Sequence, residues 1–111
     1  MIFLVIIMTT VWIPHDRAQK TAEAFIDANK KFPGDRSLSK ALLNNAVSTS
    51  KEGYKVVSAD EIKEGKLVPY LAQLNNFLLY MAKEIEGYKY KIELFSTIVE
   101  AMGVIGLKPP E

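Results

Sequence analysis

Apolar positions open the chain almost without interruption. Ile2, Leu4, Ile6, Met8 and Trp12 fall on one alternating face of residues 2–13, and Phe3, Val5, Ile7, Val11 and Ile13 fall on the other. Residues of this β-branched and aromatic character at a period of two predict a strand that must be covered on both sides. Asp16, followed three residues later by Gln19, reads as a capping box opening a helix. Along that helix Ala18, Ala22, Phe25, Ala28 and Phe32 keep helical spacing, with Arg17, Lys20, Glu23, Asp27 and Lys30 on the wet face, until Pro33 and Gly34 stop it.

A weaker strand is expected over residues 41–50, with Lys51, Glu52 and Gly53 as a turn and residues 54–59 as the returning strand, since a short Gly-containing loop between β-type runs reads as a hairpin. Residues 67–85 place Leu67, Leu71, Leu74, Leu78, Met81 and Ile85 three or four apart. That spacing is the stripe of a core-facing helix, and Pro69 is tolerated because it falls in the first turn. Gly87 breaks the pattern. Tyr88, Tyr90, Ile92 and Leu94 then alternate with Lys89, Lys91 and Glu93, which is strand periodicity carrying charges that protect a sheet edge. A short helical piece is expected over residues 97–102, and the end at Pro109 and Pro110 is expected to be loose.

The order is therefore strand, helix, strand, strand, helix, strand, with residues 1–111 read as one domain, a size at which one core is usual. This order resembles the ferredoxin-like βαββαβ fold, an α+β class with an antiparallel sheet and two helices on one face. The two-sided apolar first strand is similar to that of the dimeric α/β-barrel superfamily, whose members pack two such sheets face to face. A lone subunit of that kind leaves one sheet face to water, and its central strand should then alternate apolar and polar. This first strand does not alternate, so a homodimer is expected. Burying the second set of large side chains stabilises by about 1.5–3 kcal/mol for each one fully removed from water.

Composition narrows the function. Hydrophobic residues at 49% and charged residues at 24% fit a folded domain and exclude a disordered chain. Fourteen basic against thirteen acidic residues leave a net charge of +1, too balanced for the phosphate-neutralising field of a nucleic-acid binder. The basic group Lys30, Lys31, Arg36 and Lys40 reads as a solvated helix end and loop. No membrane attachment is expected either. The apolar start has no basic leader and no small-residue cleavage pattern, and at residues 1–13 it falls short of the ~20 residues that span a bilayer. With no cysteine there is no disulfide, thiolate nucleophile or cysteine metal site, which fits a cytoplasmic setting.

Candidate chemistry is sparse. His15 is the only histidine, at the junction of the first strand and helix, and Asp16 beside it could orient it as a general base. The plainer reading, a residue of the helix start, is preferred. A single histidine excludes a His-rich metal site within one chain, and the haem-binding members of the superfamily would have no proximal ligand here other than His15; no metal or cofactor is expected. Asn44 and Asn45 stand within a predicted strand, where asparagine is depleted. They read as ligand contacts or, preferably, as an irregular, bulged edge strand.

Trp12, Tyr54, Tyr88 and Tyr90 are candidates to line a cavity, against the commoner role of aromatics as core or dimer contacts. Two Ser-x-x-Lys matches, Ser37 to Lys40 and Ser48 to Lys51, lack their partner motifs and are discounted. No GxGxxG, P-loop or HExxH occurs.

The reading that results is a homodimeric α/β-barrel protein whose interior binds a small apolar ligand or merely serves assembly. The alternatives are a cofactor-independent enzyme of the monooxygenase or isomerase kind that the resemblance implies, and an interaction subunit presenting the helix over residues 67–85.

Overall fold

The structure, a computed structural model, describes residues 5–104 and 106. Strand β1 (Val5–Ile13) runs into a single 3-10 turn (His15–Arg17) and helix α1 (Ala18–Lys31). A hairpin of β2 (Ser39–Ser50) and β3 (Gly53–Ile62) follows, then helix α2 (Leu67–Glu84), strand β4 (Lys89–Ser96) and a short helix α3 (Ile98–Val104). Residues 2–4 of the expected first strand and the expected loose end at Pro109 and Pro110 lie outside the described residues.

The four strands form one antiparallel sheet in the order β2-β3-β1-β4. This is the ferredoxin-like arrangement, with the two-sided apolar strand at the centre and the charged strand β4 at an edge. Alternation along β1 divides the molecule. Val5, Ile7, Thr9 and Val11 face the helices, where Ile7 is buried with Leu38, Ile62 and Tyr70 against Leu67, Leu71 and Leu74 of α2. A second cluster joins the helices to each other: Ala24 and Ala28 of α1 meet Met81 and Ile85, with Phe77, Tyr80 and Tyr88 packed around them. Small residues at 24 and 28 let the helices approach closely. The smallest principal dimension is 18 Å, the thickness of one sheet and one helical layer about 10 Å apart.

The α2 stripe is buried as its spacing predicts: Leu78, Met81 and Ile85 are at most 2% exposed. Helix α1 differs from expectation in two respects. Asp16 makes no capping bond; residues 15–17 form a 3-10 turn, Arg17 takes the N-cap position, and the Thr21 hydroxyl closes the first turn by donating to the Arg17 carbonyl at 2.6 Å. The buried stripe is Thr21, Ala24 and Ala28, rotated from the apolar series, so Ala22 is exposed and Phe25 and Phe32 lie at the flank. There they meet α2 edge to face, Phe25 on Phe77 and Phe32 on Tyr80. Strands β2, β3 and β4 each extend beyond the expected limits, because cross-strand pairing continues through residues such as Asp60 and Glu61 that sequence pattern alone marks as polar.

One polar contact ties the sheet to α2. The Tyr70 hydroxyl donates to Asp60 Oδ2 at 2.5 Å. Burial first, then this hydrogen bond and the carboxylate charge, push the phenol well above the ordinary tyrosine value. Because the value is raised in the fold, the associated stability is whole below the unfolded value near pH ~10 and is lost as pH rises beyond it. Tyr70→Phe is expected to lower unfolding free energy at neutral pH by about 1 kcal/mol, by leaving Asp60 without its donor. The variant should also lose less stability than the parent when urea melts are repeated on the alkaline side of pH ~10.

Candidate functional site

The site is built around the end of β1. Trp12 is the last residue of that strand on the face away from the helices, and register places Lys55 of β3 directly opposite it on one side and Lys89 of β4 on the other. Directly opposed residues of an antiparallel pair share a face, with Cβ atoms about 4.5–5.5 Å apart. Trp12 is therefore bracketed by two lysines.

Beyond it the chain turns at Ile13 and Pro14, and two glycines close on that corner. A Cβ on Gly53 would stand 2.2 Å from the Ile13 carbonyl oxygen, and one on Gly87 would stand 2.7 Å from Pro14 Cγ. Both glycines also hold positive φ, 147° and 84°. The result is a groove of about 510 Å³ lined by Trp12, Ile13, Pro14 and the two glycines together with Tyr54, Lys55 and Lys89, and by Ser48, Ser50 and Glu52 from the hairpin end.

His15 stands beside this groove and holds its frame. Its Nε2 donates to the Ser50 carbonyl at 2.6 Å, since a carbonyl can only accept, and its ring meets Tyr54 edge to face at 5.2 Å. The imidazole thus pins the turn after β1 to the end of β2. Asn44 and Asn45 form the irregularity in β2 where pairing jumps from Leu43 to Ala46; Asn45 has φ of 48°, and its amide donates to Asn44 Oδ1 at 3.1 Å. The bulged edge strand accounts for both asparagines, because asparagine tolerates the left-handed region better than most residues.

The remaining aromatics lie on the helical side of the sheet. Tyr90, opposite Val11, faces the helical side, and Tyr88 packs on the α1–α2 cluster, where burial and then the neighbouring Tyr90 raise its phenol above the ordinary value. Of the seven residues singled out from sequence, Trp12 and Tyr54 line the groove and His15 braces it. Asn44, Asn45, Tyr88 and Tyr90 lie elsewhere. Lys55 and Lys89 were not singled out, because only strand register shows that they flank Trp12, and Gly53 and Gly87 were not, because only the folded corner brings Ile13 and Pro14 against them.

A second cavity of about 630 Å³ lies at the loop after α1, between Lys31–Arg36 and Gln73 and Asn76 of α2. Three of its polar side chains are engaged locally. Asp35 Oδ1 accepts from the Ser37 amide and hydroxyl, which holds its carboxyl below the ordinary value; Gln73 donates to the Pro33 carbonyl; and Lys31 sits 4.7 Å from the Tyr80 ring centre. Among the described residues no group of three His, Asp or Glu side chains is placed to hold a metal, and no helix is long and apolar enough to cross a membrane.

No family model matches the sequence, and no curated protein matches it. Solved structures do resemble the fold. A dimeric ferredoxin-like protein from an uncultured marine organism aligns with a TM-score of 0.58 at 19% identity, over 87% of this chain and 97% of that one. A dimeric ferredoxin-like protein of unknown function from Thermobifida fusca aligns with a TM-score of 0.52 at 16% identity, over 85% and 92%.

The corner predicts an order of sensitivity. His15→Ala is expected to cost about 0.5–1.5 kcal/mol in chemical denaturation, one hydrogen bond to the backbone. Gly53→Ala should cost more, because backbone strain alone is worth roughly 1–3 kcal/mol and the clash is with a carbonyl that no side-chain rotation relieves. Equal midpoints for the two variants would contradict this account of the corner.

Proposed function

The chain has the ferredoxin-like fold of the dimeric α/β-barrel proteins, and on that premise we propose that it is a homodimer formed through the uncovered sheet face, with the groove beside Trp12 as a binding site for a small molecule. One observation carries the dimer. On the face opposite the helices, Ile6 and Met8 of β1, Val57 and Ala59 of β3, Leu43 of β2 and Phe95 of β4 form an apolar patch that reaches all four strands and is bordered on the same face by Glu61, Lys91 and Glu93. Leu43 and Phe95 are more than 40% exposed, and no helix crosses them.

A patch of that breadth favours a partner, and a second copy presents the same surface. The dimeric state of the two ferredoxin-like proteins supports this choice. The groove lies at the end of the patch, so a dimer closed over the patch keeps it at the rim. Absence of cysteine supports a cytoplasmic setting for such a protein.

The enzyme alternative has less support. Its strongest base, His15, turns Nε2 to the Ser50 carbonyl and does not line the groove. The interaction-subunit reading needs α2 to present its leucines, yet Leu67, Leu71, Leu74 and Leu78 are turned to the core and, of the five α2 leucines, Leu79 alone is exposed.

Sedimentation equilibrium at micromolar concentration tests the dimer. The parent protein is expected to sediment as twice the chain mass. Phe95→Asp should weaken self-association by about tenfold or more, the equivalent of one large side chain withheld from the interface. A parent protein that sediments as a monomer at that concentration would refute the reading.

A further inference from the structure

The groove beside Trp12 contains charge that the fold does not use. Lys91 of the same face is paired with Glu93 at 3.2 Å, and Arg17 with Glu86 at 3.2 Å. Lys55 and Lys89 have no carboxylate partner among the described residues. Neither covers the indole: the one cation over an aromatic ring among the described residues is Lys31 on Tyr80. Trp12 therefore keeps ring surface accessible, at 39% exposure, between two uncommitted ammonium groups. Each lysine lies one strand from Trp12, so their backbones stand about 10 Å apart across β1, and their flexible stems can reach a single group between them.

We propose that this groove binds an aromatic monoanion, its ring on the Trp12 indole and its carboxylate or sulfonate held by Lys55 and Lys89. The proposal rests on the reading of the groove as a ligand site and replaces the apolar ligand expected from sequence with an amphiphilic one. Each part of the lining has a share in that choice. The Trp12 face and Pro14 offer apolar surface to a flat ring, stacking offset as aromatic pairs do. Gly53 and Gly87 contribute no side chain to the lining. Ser48 and Ser50 lie at the hairpin end.

Glu52 also lines the groove. With two lysines against one glutamate the site carries a single net positive charge, which suits a monoanion and disfavours a polyphosphate. Two ordinary solvated lysines at a sheet end would show none of this selectivity.

The single tryptophan makes the test direct, because its indole N–H gives one cross-peak in a nitrogen–proton spectrum. The 15N-labelled full chain is titrated with 2-naphthoate and, separately, with neutral 2-naphthalenemethanol. Naphthoate should shift the indole peak saturably and bind about tenfold more tightly than the alcohol, the worth of one charge-assisted hydrogen bond. Added salt should weaken the naphthoate and leave the alcohol unchanged. The double variant Lys55→Gln, Lys89→Gln, which alters exposed side chains only, should abolish the difference.

Equal affinity for acid and alcohol in the parent would overturn the anion assignment while leaving a ligand groove in place. No indole shift with either probe at about millimolar concentration would overturn the groove as well. Sedimentation of the same sample reports the dimer independently of both.

Discussion

The constraint on which the structure depends is that β1 is apolar on both faces and central in its sheet. A central strand donates and accepts along both edges, and β1 pairs with β3 over its whole length and with β4 over nearly all of it. Its helix-facing residues bury Ile7 under α2, and the register that does so commits Ile6, Met8 and Trp12 to the opposite side. A slip of one residue would exchange the two sets, and Thr9 and Thr10 mark the positions where the sequence comes nearest to equivalence. The slip is opposed from both flanks. Ile62 of β3 and Ile92 of β4 face the core that α2 closes, and a slipped β1 would take Ile7 from beside them.

Much of this was legible in the sequence because it rests on periodicity. The α2 stripe, the alternation of β1 and β4 and the hairpin turn follow from spacings of three to four or two, and the structure keeps them. What was not legible depended on competition or on register. At Asp16 a capping box competes with a 3-10 turn that lets His15 reach the Ser50 carbonyl, and a contact 35 residues distant in sequence cannot be seen from local spacing. In α1 the apolar series and the buried stripe differ because alanines, not phenylalanines, allow α2 to approach; the larger rings serve better at the flank, edge to face with Phe77 and Tyr80.

The candidate site was half legible for the same reason. Trp12 and Tyr54 stand out by residue type. Lys55 and Lys89 do not, since a lysine in a strand ordinarily reads as solvated edge protection. They acquire meaning only when pairing places both against Trp12, and the glycines only when Ile13 and Pro14 are seen to occupy the space a Cβ would need. The same corner unites the local strain of Gly53, the tie from His15 and the groove. The residues that shape the site are therefore largely those that end β1.

The two proposed features constrain each other. An apolar patch reaching four strands favours closure by a second copy, but Glu61 and the Lys91–Glu93 pair border it, and Lys55 and Lys89 stand on that same face at one end. Carrying an ammonium group into a dry interface without a partner costs several kcal/mol, more than one apolar side chain returns. The uncommitted lysines therefore set a limit to the contact. A second sheet can cover Ile6, Met8, Val57, Ala59 and Phe95, but it must leave the Trp12 end in water or supply it with an anion. A ligand carrying its own negative charge satisfies that end without a rearrangement of either chain, and it places a flat ring where the apolar patch would otherwise end against solvent.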